Sequence, residues 1–296
     1  MAMNPDAKPG PESGRSPVST EELSPRPRAA TAERRTELLN YLRVLRRAQT
    51  LEELTSHFGI SPSTVRRDVE ALADQGQVWK IAGGRVTVRR REATLPEKTV
   101  SSAASKMAMA EYAAKHLIHA GDVVLLDSGT STAFLARLLA QRDDLTLVVA
   151  GVSSLLALAE GPADVVVVGG HLRKTSGSLL GPLALSGLDS IMPSVAFIGC
   201  DSLDTERGIN CSGLEAAAFK RRAMEVSQES WVLADETKLS ATPSRPAWIP
   251  FLPQTGLLTV TPRSAASRAT LKQFRADGHD VRVTRPAMRR EKAAEA

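Results

Sequence analysis

Cysteine is almost absent from this chain: only Cys200 and Cys211 stand among its 296 residues. A single pair cannot staple a chain of this size, and without further ligands at zinc spacing it excludes a structural metal site, so both are read as reduced thiols. Long apolar runs are missing too. None approaches the ~18 residues that a bilayer span needs, and the charges near the N-terminus have no apolar core behind them, which argues against both insertion and export. The expected compartment is the cytoplasm, with no membrane partner. The five histidines are scattered; His116 and His119 fall on one predicted helix but lack a third ligand nearby, so they are read as surface residues. No internal repeat of fixed period appears, which excludes a solenoid. Nothing calls for a metal or a cofactor.

What is present is an uneven charge. Residues 26–91 hold 14 Lys and Arg against 7 Asp and Glu, residues 92–260 hold 13 against 18, and the last 36 are basic again, 9 against 4. A basic segment ahead of an acidic one favours a nucleic-acid partner for the first and a different task for the second. The length and the 42% hydrophobic content allow two domains with a sizeable core in at least one. Residues 1–30, rich in proline and poor in apolar residues, are expected to be a disordered tail.

The basic segment carries the sharpest pattern. Leu38, Leu39, Leu42 and Leu45 recur at helical spacing behind Thr31 as a cap, and the arginines of that helix, Arg34, Arg35, Arg43, Arg46 and Arg47, are expected to face outward. Thr50 caps a second helix over Leu51–Phe58 that Gly59 stops, and Ser61 caps a third with Pro62 in its first turn. Two helices joined so closely make a helix-turn-helix. In the later one Val65, Val69 and Leu72 share the core face, leaving Ser63, Thr64, Arg66 and Arg67 outside, where short donors and cations suit a major groove. Val78–Ile81 and Arg85–Val88 flank Ala82-Gly83-Gly84 and read as a wing, with Lys80 and Arg85 as further contacts. Ser61, Ser63, Thr64, Arg66, Arg67, Lys80 and Arg85 are therefore the candidate contacts to double-stranded operator DNA. The competing reading is a solvated charged face on a small helical domain. The winged unit is placed at 31–92, and the Arg89–Arg91 triplet leads into a linker at 93–100.

From residue 101 the pattern changes to continuous apolar strands alternating with helices. Val123–Leu126, Leu145–Val149, Val165–Val168, Val195–Ile198, Trp231–Ala234, Leu257–Val260 and Val281–Val283 are the strands, which predicts an α/β domain at 101–285 with a mostly parallel sheet covered on both faces. A basic tail, 286–296, follows. Ligands of open parallel sheets bind beyond the carboxyl ends of the strands. There the chain places Asp127-Ser128-Gly129-Thr130-Ser131, Gly169-Gly170, Gly199-Cys200-Asp201 and Asp235-Glu236-Thr237-Lys238. The first is a cradle for an anion at a helix start. Lys238 is expected to meet a phosphate, and Asp127, Asp201 and Asp235 to accept hydroxyls of a polyol. Each taken singly is as readily a cap or a turn residue.

These residues resemble the DeoR family of bacterial transcriptional repressors, over about residues 34–284. Leu51-Glu52-Glu53-Leu54, the run Ile60-Ser61-Pro62-Ser63-Thr64-Val65-Arg66-Arg67-Asp68-Val69 and Gly76 through Gly84 are similar to the family's signature. So are Asp127-Ser128-Gly129-Thr130, Gly169-Gly170, Gly181, the Gly208–Glu215 segment with Lys220-Arg221, and Asp235 through Lys238. The resemblance implies a winged helix-turn-helix joined to a sugar-phosphate sensor with the NagB/RpiA-like fold of ribose-5-phosphate isomerase. It also implies Glu215 among the effector contacts and a homodimer or homotetramer. Ala150-Gly151-Val152-Ser153 departs from the family's Thr-Asn, Ser131 replaces a threonine, and Thr261-Pro262 replaces Thr-Asp. The phosphate end of the site is therefore retained, while the sugar end differs.

Two other functions compete with a regulator. An isomerase fused to a DNA-binding module would need a proton-transferring carboxylate and a lysine-bearing loop, yet no lysine occurs between Lys174 and Lys220. A purely architectural DNA binder would give no reason for polar groups to gather at strand ends.

Overall fold

The computed structural model describes residues 27–45, 48–81, 83–88, 92–239, 245 and 247–286. Of the expected tail at 1–30, residues 1–26 lie outside the described residues, as do Arg46, Arg47, the Arg89–Arg91 triplet and the basic tail from 287, while residues 27–30 belong to the first helix. The chain forms two compact units, one holding residues 49–86 with the helix before them, the other everything from Thr87 onward.

The first unit contains α1 (Pro27–Leu45), β1 (Gln49–Thr50), α2 (Leu51–Phe58), α3 (Pro62–Asp74), β2 (Val78–Ile81) and β3 (Arg85–Val88). The start of α1 lies upstream of Thr31, so that threonine is not its cap. Thr50 and Glu53 close a reciprocal capping box at the head of α2, with Glu53 N–H donating to Thr50 Oγ1 at 3.1 Å and Thr50 N–H to Glu53 Oε2 at 2.8 Å. Gly59 ends that helix in the left-handed conformation. Ser61 accepts from Thr64 N–H at 3.2 Å and starts α3. Leu38, Leu42, Leu54, Val65, Val69, Leu72, Val78 and Val86 are buried, and the three strands form a sheet of order β1-β3-β2. Tyr41 of α1 stacks on His57 of α2 with ring centroids 3.7 Å apart.

The first-helix arginines correct one expectation. Arg34 and Arg35 do not simply face outward. Both clamp the buried Asp68 of α3: Arg34 Nε donates to Oδ2 at 2.6 Å and Arg35 Nε to Oδ1 at 2.9 Å. A carboxylate on the core side of α3 cannot be left unpaired, and α1 supplies its partners.

The second unit opens with a further correction. Residues 93–100 are not a plain linker, because Leu95–Val100 forms α4. Thr94 and Glu97 make a second capping box, Thr94 N–H donating to Glu97 Oε2 at 2.8 Å, with Pro96 in the first turn where its missing N–H costs nothing. The unit continues through α5 (Ala103–His116), β4 (Val123–Leu126), α6 (Thr130–Leu139), β5 (Thr146–Val149), α7 (Val152–Leu158), β6 (Asp164–Val167), β7 (His171–Arg173), β8 (Ser178–Leu180), α8 (Pro182–Asp189) and β9 (Val195–Gly199). It then runs through β10 (Ser202–Asp204), β11 (Gly208–Cys211), α9 (Leu214–Val226), β12 (Glu229–Ala234), α10 (Glu236–Leu239), β13 (Ala247–Ile249), β14 (Thr255–Val260), α11 (Ala265–Ala276) and β15 (Val281–Thr284).

The main sheet is parallel with order β15-β14-β12-β9-β4-β5-β6. Its apolar runs are continuous because both faces are covered. Leu125, Val148, Ile198, Val232 and Leu257 pack with Phe219, Met224 and Phe274 on one side. Leu126, Val149, Phe197, Leu233 and Leu258 pack with Met109 and Leu135 on the other. The order reverses between β4 and β9, which opens a crevice beyond their carboxyl ends. The short antiparallel additions, β7 with β8 and β10-β11-β13, lie outside this sheet.

Candidate functional site

There are two candidate sites, one in each unit. In the first, α3 turns its buried side, Val65, Asp68, Val69 and Leu72, into the core and leaves Ser61, Ser63, Arg66 and Arg67 exposed, with Thr64 half-buried. Ser61 Oγ lies 2.9 Å from Ser63 Oγ and 2.8 Å from Thr64 Oγ1, so the front of the helix carries a small hydroxyl cluster. Arg66 and Arg67 make no ion pair among the described residues and are available to an external anion. Lys80 of the wing lies 3.7 Å from Glu70 of α3, both half-exposed, and Arg85 is exposed at the start of β3.

In the second unit a cavity of about 290 Å³ opens at the β4–β9 switch point. Its floor is Ser128–Ser131 after β4, Gly199–Asp201 after β9, and Asp235 with Lys238 after β12. Gly129 has φ 153°, a conformation open to glycine, and it turns the chain from β4 directly into α6. The first N–H groups of α6 have no acceptor within their own helix, and Thr130 and Ser131 of that first turn line the cavity. Thr132 holds the turn from below, donating to the Asp127 carbonyl at 2.5 Å. Asp235 accepts from Thr237 N–H at 2.9 Å and from Thr237 Oγ1 at 2.5 Å, which anchors the short helix that carries Lys238.

The structure distributes the predicted effector residues unevenly. Ser128, Gly129, Thr130, Ser131, Asp201, Asp235 and Lys238 come together in the cavity wall, whereas Asp127, Gly169, Gly170 and Glu215 are not part of it. Asp127 is buried beneath the floor, where one oxygen forms an ion pair with Lys220 and accepts from Gly199 N–H at 2.9 Å. Its carboxylate therefore ties β4 to β9 and α9. Gly170 is a packing position, since a Cβ there would lie 2.5 Å from the Leu180 carbonyl oxygen. Glu215 is exposed on the first turn of α9.

Several wall residues were not anticipated as contacts. Lys220 reaches the cavity from α9, so a lysine does stand near the Asp201 loop although none occurs within it. Burial works against its charge, but Asp127 holds the ammonium above its ordinary pKa, and Lys220 also donates to the Gly199 carbonyl at 2.9 Å. Lys106 of α5 is buried and points its ammonium at the Lys98 and Ser101 carbonyls. Burial brings its pKa down to about 8, against the pull of Asp235. Arg245 lies with Nε 3.7 Å from Asp201 Oδ2, and that nitrogen is buried without a hydrogen-bond acceptor among the described residues. Its backbone is fixed by the buried Asn210, which accepts from Arg245 N–H at 3.1 Å. Cys200 and Cys211 also line the wall; burial raises their thiols to about 12 and about 11, so both stay protonated. Glu92, Leu95, Glu97, Lys98 and Ser101 contribute a further wall from α4 and the residues flanking it. The capping pattern Thr94-x-x-Glu97, with Pro96 in the first turn, is the sequence signal that this stretch is ordered.

Comparison with known proteins agrees with both units. Residues 34–91 match the DeoR-like helix-turn-helix domain and residues 101–244 match the DeoR C-terminal sensor domain. The transcriptional repressor AccR of Agrobacterium fabrum is 34% identical over 191 residues, 63% of this chain and 74% of that protein. The transcriptional regulator GlpR of Haloferax volcanii is 32% identical over 193 residues, 64% of this chain and 75% of its own length. Among solved structures, ribose 5-phosphate isomerase A of Methanocaldococcus jannaschii overlays 45% of this chain and 52% of its own, at 19% identity and a TM-score of 0.34.

Proposed function

Because this chain belongs to the DeoR family of transcriptional regulators, we propose that it represses its target genes by holding operator DNA through α3 and the wing, and that a phosphorylated sugar in the second-unit cavity weakens that hold. The observation that carries the effector reading is the composition of the cavity wall. An unpaired helix start and the cations Lys98, Lys238 and Arg245 stand beside the carboxylates Asp201 and Asp235. Cations and oriented N–H groups suit a dianion, and carboxylates suit the hydroxyls of the polyol that carries it.

Binding without turnover fits the same wall. A base acting on a carbon acid needs a carboxylate free to take a proton. Here Asp201 stands between Lys98 and Arg245, Asp235 accepts from Thr237, and Glu92 is held by Arg173 and Lys98. Lys220 is committed to Asp127. An operator partner supports a cytoplasmic reading; no described helix is long and apolar enough to cross a membrane.

Thermal-shift screening of the purified protein against ribose 5-phosphate, fructose 1-phosphate, fructose 6-phosphate and glucosamine 6-phosphate, with inorganic phosphate alongside, tests the reading. A true effector at 100 times its Kd should add about 2.7 kcal/mol of apparent stability. It should also lower affinity for a DNA fragment that the protein selects from a random pool. Conversion of any of these sugars, followed by NMR, would turn the assignment toward an isomerase.

A further inference from the structure

We propose that the segment Glu92–Ser101, which follows the wing in sequence, both completes the effector site and reports its occupancy, with Lys98 as the coupling ligand; this rests on the effector reading above. Lys98 Nζ lies 2.9 Å from Glu92 Oε1 and 3.6 Å from Asp201 Oδ1, and its side chain is one-quarter exposed, at 25%. Glu92 does not rest on Lys98 alone. Arg173 already holds that carboxylate by both oxygens, at 3.1 and 2.6 Å, so Lys98 can leave without stranding a buried charge.

Asp201 is shared in the same way. Lys98 and Arg245 flank it at 3.6 and 3.7 Å, both beyond hydrogen-bond length, and Arg245 Nε has no other acceptor among the described residues. Arg245 Nε is thus left without a hydrogen bond among the described residues, and Lys98, whose hydrogen bond goes to Glu92, holds Asp201 only at a distance. A phosphate dianion seated on the α6 start and Lys238 offers Lys98 a stronger partner than either carboxylate.

The backbone of α4 is bound to the same groups. Lys106 donates to the Lys98 and Ser101 carbonyls, and Thr130 Oγ1 of the anion cradle lies 3.4 Å from the Lys98 carbonyl. A change at Lys98 or Thr130 therefore acts directly on the helix. At its far end α4 meets α5 through Ser102, with φ 55°, the non-glycine residue of positive φ among the described residues. Such a residue is held in place only by its surroundings, and it forms a natural joint. At its near end only Arg89–Arg91 separate Glu92 from β3 in the sequence. Recruitment of Lys98 thus shifts the stretch of chain to which the wing is attached.

A residue that only binds ligand and a residue that transmits binding differ at saturation. For each variant, calorimetry with the sugar phosphate that most stabilises the wild type fixes the saturating concentration. Fluorescence anisotropy then gives DNA affinity with and without that ligand. In the wild type saturation should weaken DNA binding by about tenfold or more, within the usual range of coupling. Lys98→Met should bind the ligand more weakly and, at its own saturation, change DNA affinity less than about twofold. Lys238→Met should also bind more weakly, yet release DNA like the wild type once saturated. Lys98→Gln keeps a polar group facing Glu92, and the same loss is expected if methionine disturbs folding. Release by the saturated Lys98 variants equal to wild type would overturn the proposal while leaving the effector site intact. If none of the sugar phosphates bound the wild type, the effector reading would fall and the proposal with it.

Discussion

Glu92 shows how much one side chain on the cavity rim depends on its neighbours. Burial pushes its carboxyl up, but the hydrogen bonds and charges of Arg173 and Lys98 outweigh that and hold the pKa at about 2, against 4.5 for a free side chain. Because the folded value lies below the unfolded one, the contribution to stability is fully present above pH 4.5 and is lost as pH falls from there through about 2. After allowance for solvent screening this is about 1 to 2 kcal/mol. Urea melts across that range should therefore show a shallower acid limb for Glu92→Gln than for the wild type, and identical limbs would refute the assignment. Lys220 and Asp127 are a different case. Both are buried, Lys220 at the cavity wall and Asp127 beneath it, so removing one leaves the other without its counter-ion, and the pair serves to lock β4, β9 and α9 beneath the floor.

At the scale of elements, α3 combines the proposed reading surface with a structural anchor, and the two should separate by mutation. Burial raises the Asp68 carboxyl, yet Arg34 and Arg35 bring it below its usual range, so the clamp joins α1 to the core side of α3. Asp68→Ala should lower the stability of the first unit by about 1 to 3 kcal/mol, because two guanidinium groups lose a charged acceptor. DNA affinity should fall with it while sequence preference is unchanged. Arg66→Ala and Arg67→Ala should leave stability unchanged. At least one should relax preference at a single base pair by about 1 to 3 kcal/mol, the worth of a bidentate guanine contact. Anisotropy at fixed salt on matched and mismatched sites distinguishes these outcomes; unchanged affinity and preference in both arginine variants would remove α3 as the reading helix. Helix α4 teaches the converse about legibility. Its capping box and proline were visible in the sequence, but a helix this short has little propensity of its own, and its order comes from Lys98, Glu92, Arg173 and Lys106.

For the whole molecule, one winged module contacts too few base pairs to find an operator among the competing sites of a genome. The protein is therefore expected to act as a dimer or a larger assembly on repeated half-sites along one face of the duplex. Light scattering should give at least twice the 31.7 kDa chain mass, and footprinting should protect two half-sites. A monomer protecting a single half-site would contradict this. The charge division serves the same design, since the basic surplus lies in the winged unit, whereas residues 101–285 hold 18 Lys and Arg against 18 Asp and Glu and carry no net charge.

The sequence alone determined the elements whose signals are local. Caps, helix-stopping glycines, the phase of Val65, Val69 and Leu72, and continuous apolar strands all act over a few residues, so the winged unit and the alternating α/β pattern were legible. The polar groups at the ends of β4, β9 and β12 were legible too, because a parallel sheet places strand ends on one edge. Only the tertiary structure decided which of them face a common cavity. Asp127 and Asp201 both follow apolar strands, yet one is buried against a lysine 93 positions away and the other opens to the cavity beside Arg245. Burial of a carboxylate is settled by the charges that reach it, and those come from α9, α4 and the segment after α10, whose approach no local pattern encodes.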